Sequence, residues 1–155
     1  MHHLLHDEVQ FFIRSYTGKN PSELALKKNP FPEISMAEII GQIESRIKCE
    51  TKLPTWFKTK QIIYPPKISV EQSSSELTAK YKASLVSGKS LIDLTGGFGV
   101  DAFFFKQQFH KVVHCEHNPA LSELVAHNFK ILEADIECRK GDGLEILKQL
   151  QHKFD

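Results

Sequence analysis

Apolar residues recur at helical spacing through the first fifty positions. Val9, Phe12, Ile13 and Tyr16 form one stripe, which Gly18 ends. "NPSE" (Asn20 to Glu23) has the form of an N-cap, a proline in the first turn and an acid after it, and "SMAE" (Ser35 to Glu38) reads as a capping box. The helix it opens carries Ile39, Ile40, Ile43 and Ile47 as its apolar stripe. "KLPTWF" and "IIYPPK" follow as a proline-punctuated connector over 51–70, too apolar to be a free linker and expected to pack on the domain after it.

The pattern changes after residue 70. Ser73 and Glu76 frame a further capping box, Leu77, Tyr81 and Leu85 form a stripe, and Gly88 suits a C-cap. Apolar strand candidates then lie at Leu91 to Thr95, Lys111 to Glu116 and Ile136 to Arg139. Helix candidates alternate with them at Val100 to Phe109, Pro119 to Leu132 and Leu144 to Leu150. Strands alternating with helices of this length predict βαβ units and a parallel sheet. Three segments result: a helical subdomain over 1–50, the connector over 51–70 and an α/β half-domain over 71–155.

Composition narrows the function classes. The 155 residues carry 20 basic and 19 acidic side chains, so no global basic field announces nucleic acid, and any such contact must be local. Lys27, Lys28, Lys58, Lys60, Lys67, Lys80 and Lys82 are scattered and read first as solvated surface. No run approaches the roughly 20 apolar residues of a membrane span, and "MHHLLHDEVQ" has neither a basic leader nor a long apolar core. The expectation is a soluble, cytoplasmic protein. Cys49, Cys115 and Cys138 form no CxxC pair, and His110, His114 and His117 share no common face, so neither a disulfide framework nor a metal site is expected from them.

Candidate chemistry gathers at "LIDLTGGFGVDAF", residues 91 to 103. Gly97, Gly99 and Ala102 fit G-x-G-x-x-G/A between a strand and a helix, where residues without bulky side chains let a nucleotide-like ligand approach backbone N–H groups. Glu116 ends the second strand candidate, where a carboxylate can accept from ribose hydroxyls. Asp93 lies within the first apolar run, a position that suits organising the glycine loop or receiving the ammonium or water shell of an amino-acid moiety. Asp142, in "KGDG", sits at the rim after the third strand, within reach of an adenine amino group.

At these residues the chain resembles the class I S-adenosylmethionine-dependent methyltransferases: "DLTGGFG" looks like their first motif, "VVHCEHN" their acidic second and "RKGDG" their third. The form D-x-T-x-G-x-G-x-D-A-F, Asp93 to Phe103, is similar to enzymes acting on guanine in ribosomal RNA. "KLPTW", "IIYPP" and "EQSSSELTAKYKA" resemble a bacterial group described as RNA methyltransferases with a THUMP-like domain after the catalytic domain.

The resemblance implies the N-terminal part of a Rossmann-like fold behind a small helical subdomain, with S-adenosylmethionine as cofactor. Thr95, Gly96, Gly97 and Gly99 would face its methionine part, Glu116 its ribose and Asp142 its adenine. Gln72 and the N–H groups of Ser73 to Ser75 belong to a segment resembling one that closes over the cofactor. Thr95 stands where the first glycine of the motif is common.

The family's catalytic D/N-P-P-x motif follows its fourth strand and does not occur here. Catalytic residues are therefore expected after Asp155, and this chain by itself is expected to be inactive. The first strand would form an edge with unpaired backbone, covered by the helical part or by a second copy in a homodimer. Two other readings stand beside the methyltransferase: a noncatalytic module for adenosine-containing ligands or RNA, and an NAD-dependent oxidoreductase, which Asp93 and Asp142 oppose.

Overall fold

The computed structural model describes residues 2–155, which form two compact units dividing between Glu71 and Gln72. The first unit is helical. A 3-10 turn (His2–Leu5) leads into α1 (Asp7–Ser15), and a second (Pro21–Leu26) precedes α2 (Met36–Lys52), α3 (Pro54–Lys58) and α4 (Lys67–Gln72). The expected caps form: Ser35 Oγ accepts from Glu38 N at 3.1 Å, and Asn20 Oδ1 from Ser22 N at 3.0 Å.

Helix α2 packs on the second 3-10 turn, on α1 and on α3. Its buried face differs from the predicted isoleucine stripe. Ile39 and Ile43 are buried, but Ile40 and Ile47 are only half-buried, and the face continues through Gln42, Ser45, Arg46 and Cys49. These polar groups are paired. Gln42 meets the backbone of Tyr64 twice, Nε2 donating to its carbonyl at 2.6 Å and Oε1 accepting from its N–H at 2.9 Å. Ser45 Oγ donates to Pro65 O at 2.8 Å, and the Arg46 guanidinium lies over the Phe57 ring at 3.9 Å. Segment 51–70 is thereby tied to α2 in its own unit.

The second unit runs α5 (Glu76–Ser84), β1 (Gly88–Asp93), α6 (Val100–Phe105), β2 (Phe109–Glu116), α7 (Pro119–Ile131), β3 (Glu137–Lys140) and α8 (Gly143–Leu150). The strands form a parallel sheet in the order β1-β2-β3, with Asp93 beside His114 and His114 beside Cys138. Both faces are covered, which is why the strands read as continuous apolar runs. Val113 and Cys115 face α8 through Ile146, while the alternate residue His114 meets Phe129 of α7.

Several expectations need correction: the helix expected over Val100 to Phe109 stops at Phe105, with Phe109 opening β2, and the strand expected at Leu91 to Thr95 runs from Gly88 to Asp93. The cap of α5 is Ser75, whose Oγ accepts from Thr78 N at 3.2 Å, and Glu76 is the first helical residue rather than the partner of Ser73. The helix ends at Ser84 with Leu85 as its C-cap, and Gly88 starts β1, where a Cβ would lie 2.8 Å from the Phe109 ring. Leu77, Tyr81 and Leu85 are 81%, 65% and 64% exposed. Helix α5 instead buries Ala79 and Ala83, small residues that allow close packing, and α6 is the helix it packs against.

Within the second unit the C-terminal segment meets the free edge of β1. Asp155 N donates to Ser90 O at 3.0 Å, and its Oδ2 accepts from Lys89 N and Ser90 N at 2.7 and 2.8 Å.

In the first unit the doubly bonded Gln42 yields a direct test. Gln42→Leu leaves a buried N–H and a buried carbonyl of Tyr64 without partners, at ~1–3 kcal/mol each. Urea unfolding followed by the fluorescence of Trp56 should show a loss of about 3 kcal/mol. A loss below ~0.5 kcal/mol would mean that water replaces the amide.

Candidate functional site

The carboxyl ends of the three strands and the loops leaving them converge. Gly96 N donates to Cys115 O at 2.8 Å, which draws the loop after β1 onto β2. Glu116 Oε2 accepts from Gly97 N at 3.1 Å and its Oε1 from Asn118 N at 2.7 Å, while its main-chain carbonyl accepts from Gly141 N at 2.9 Å. One residue thus holds the loops after β1, β2 and β3.

The glycines of this region fall into two groups by what a side chain would meet. At Gly96 a Cβ would lie 2.2 Å from the His114 ring, at Gly99 2.6 Å from Phe129, and at Gly143 2.2 Å from the Leu94 carbonyl oxygen. Those three positions are bare because the protein fills the space. Gly97 differs: its φ is +52° and the nearest atom to a Cβ is 4.0 Å away, the carbonyl oxygen of Thr95. Its backbone turns toward open space, a cradle that a side chain would obstruct.

Three acids mark the carboxyl ends of the strands: Asp93 closes β1, Glu116 closes β2 and Asp142 follows β3. Asp93 is half-buried, and its Oδ1 accepts from Thr95 N at 3.2 Å. Burial holds its carboxyl above the usual range, partly offset by that hydrogen bond. Glu116 is half-buried and Asp142 exposed, with Oδ1 of Asp142 capping α8 through Leu144 N and Glu145 N at 2.9 and 3.0 Å. A carboxylate oxygen has two lone pairs, so Glu116 and Asp142 can still accept from a ligand while they cap the loops. Cys115 and Cys138 are no candidate nucleophiles, because burial pushes both thiols up to about 11.

Of the residues singled out from sequence, Asp93, Thr95, Gly96, Gly97, Gly99, Glu116 and Asp142 lie on these converging loops. Gln72 is exposed at the end of α4. In the neighbouring serine segment it is Ser74 that reaches the helix after the glycine loop. Its Oγ donates to Asp101 Oδ2 at 3.0 Å and accepts from Lys82 Nζ at 2.8 Å, and Lys82 pairs with the same carboxylate at 2.6 Å.

Sequence reasoning placed Asp101 inside the motif but gave it no role, and it overlooked Lys82 as its partner. His114 was also passed over as a strand residue. It is fully buried under Gly96, and neither ring nitrogen has a hydrogen-bond partner. Among the described residues no helix is long and apolar enough to cross a membrane.

The donor set fits the cofactor implied by the sequence motifs. Asp93, Glu116 and Asp142 are all acceptors, suited to an ammonium or sulfonium, a ribose diol and an adenine amino group. The N–H groups of Gly96, Gly97 and Gly99 already donate to Cys115 O, Glu116 Oε2 and Gly96 O, which withdraws these three from the diphosphate of a dinucleotide.

No protein-family model and no curated protein matches the chain. Among solved structures it is similar to one described as a "putative methyltransferase from Porphyromonas gingivalis W83", with a TM-score of 0.79 and 27% sequence identity over 96% of this chain. The chain spans 37% of the length of that protein. With its parallel three-stranded sheet covered on both faces, the second unit is a partial Rossmann-like α/β fold, and the chain as a whole resembles a methyltransferase.

Proposed function

We propose that this chain is the cofactor-binding part of an S-adenosylmethionine-dependent methyltransferase whose substrate is an RNA base, with guanine in ribosomal RNA as the target to test first. The observation that carries the cofactor is the open cradle at Gly97, bonded to Glu116, on the edge of the sheet where Asp93 and Asp142 close the other two strand ends. S-adenosylmethionine supplies a methyl group bound to a sulfonium, an electrophilic carbon. The chain's own contribution is to hold and orient: the loop from Thr95 to Gly99 and Asp93 at the amino-acid end, Glu116 at the ribose, Asp142 at the adenine. Gln72 and the N–H groups of Ser73 to Ser75 are the groups to close over it, a role supported by the bond from Ser74 to Asp101. Positioning is a large share of what in-line methyl transfer asks of a protein. The RNA target rests on the D-x-T-x-G-x-G-x-D-A-F form, Asp93 to Phe103, and not on the geometry.

Calorimetry with S-adenosylmethionine and with NAD tests the cofactor. Binding of the first and not the second is expected; the reverse, or no binding by folded protein, removes the proposal. Glu116→Gln must turn an amide NH2 toward either Gly97 N–H or Asn118 N–H, so one charge-assisted bond is lost and affinity should fall about tenfold or more.

Asp93→Asn separates binding from stability. A carboxyl whose pKa is raised on folding contributes stability below its unfolded pKa and loses it as pH rises through the folded value. Stability of the variant relative to wild type should therefore rise with pH from the ordinary carboxylate range upward, while its affinity for the cationic cofactor falls at neutral pH. A variant that is less stable at neutral pH and binds equally well would make Asp93 purely structural. For the substrate, nucleoside mass spectrometry of ribosomal RNA from cells with and without the gene should show one methylguanosine lost; an unchanged profile removes the RNA reading.

A further inference from the structure

We propose that His3, His6 and Glu33 form a binding site for one divalent transition ion of the zinc class, which clamps the N-terminal turn to the loop before α2. One ligating atom from each of the three side chains lies within 4.8 Å of the others, and all three residues are exposed. Ligands around tetrahedral zinc at about 2.0–2.2 Å lie roughly 3.4 Å from one another, so closure needs shifts of about an ångström at the side-chain ends. Exposed rotamers supply shifts of that size.

The backbones that carry the three groups are pinned. His3 and His6 flank Leu4, which is buried and whose carbonyl accepts from the buried Gln10 Nε2 at 2.9 Å. His6 N donates to His3 O at 3.3 Å, and Gln10 N to His6 O at 3.0 Å, fixing the turn at the start of α1. On the other side Glu33 precedes the buried Ile34, whose N–H donates to Phe31 O at 3.0 Å and whose carbonyl accepts from Asn29 Nδ2 at 2.7 Å. Asn29 Oδ1 also accepts from Phe31 N at 2.9 Å. An edge-to-face contact between Phe12 and Phe31, with ring centroids 5.4 Å apart, joins the two segments. The backbone then adds little to the ordering that opposes binding, which falls on the three exposed side chains.

The donors select the ion. Two imidazoles and a carboxylate suit zinc, cobalt or nickel over calcium or magnesium, which take oxygen ligands. A third imidazole stands next to them, the His2 ring being 5.7 Å from that of His6 and 6.1 Å from that of His3. It lies outside the three-residue cluster, and a rotamer change would bring it in as a fourth ligand, making a closed site of the structural kind. The site lies wholly in the first unit and does not depend on the proposed cofactor.

The test uses the full chain without an affinity tag. Calorimetry with zinc chloride should give one ion per chain and a higher melting temperature that chelation reverses, and cobalt should give the visible absorption of a tetrahedral site. His3→Ala, His6→Ala and Glu33→Gln should each weaken binding about tenfold or more, while His110→Ala leaves it unchanged. All three substituted residues are exposed, so ion-free melting should match wild type and exclude misfolding as the cause. No ion bound at micromolar zinc, or binding that survives any one of the three substitutions unchanged, overturns the proposal.

Discussion

Glu116 is the residue on which the carboxyl edge of the sheet depends. Its side chain accepts from the loop after β1 and the turn after β2, and its main chain accepts from the loop after β3. Hydrogen bonds to an ionised acceptor are worth more than neutral ones, so the loops are fixed more firmly than their lengths suggest. Drawing them together has a steric consequence: Gly96 comes down on His114 and Gly143 on Leu94, contacts in which a Cβ would meet an atom at 2.2 Å. Gly96, Gly99 and Gly143 therefore serve packing, whereas Gly97 faces open space.

What lies beneath the loop is unusually polar for the floor of a buried sheet. Asp93 and His114 are register neighbours, and so their side chains share a face. His114 meets Phe129 edge to face at 5.6 Å and has no partner for either nitrogen, an arrangement that costs desolvation without a compensating bond. Asp93 gives up water as well and keeps one backbone N–H as a donor. With the carboxyls of Asp93 at its base and Glu116 at its rim, the site offers acceptors, and the N–H groups of its three loop glycines are already engaged.

The strands could be read from sequence because both faces of the sheet are covered, which makes Leu91–Ile92 and Val112–Val113 apolar without alternation. The loop glycines and the strand-end acids were legible for a related reason: each sits at a strand boundary that the apolar runs define. Helix α5 was misread because Ala79 and Ala83 carry almost no hydrophobic signal, while Leu77 and Tyr81 carry a strong one and stay in solvent. In α2, Gln42 and Ser45 look like surface residues until their partners appear at Tyr64 and Pro65, and no local pattern encodes bonds across 22 and 20 positions. The same limit hid His114, whose lack of partners depends on Gly96 and on Phe129 together, and Lys82, whose partner Asp101 lies on the next helix.

Two aspartates that meet β1 show how one strand can answer to pH in opposite senses. Asp155 receives N–H bonds from Ser90 and Lys89, which favour its charged form and hold its carboxyl below the usual range. A carboxyl depressed on folding contributes stability above its unfolded pKa and loses it as pH falls through the folded value. Asp93 is raised by burial, so the sign reverses and its contribution fades as pH rises. Acid therefore loosens the covered edge of β1 near Ser90 while easing the strain at its carboxyl end. Rising pH does the converse, strengthening the edge at Ser90 while charging a carboxyl beneath the glycine loop that burial has deprived of water.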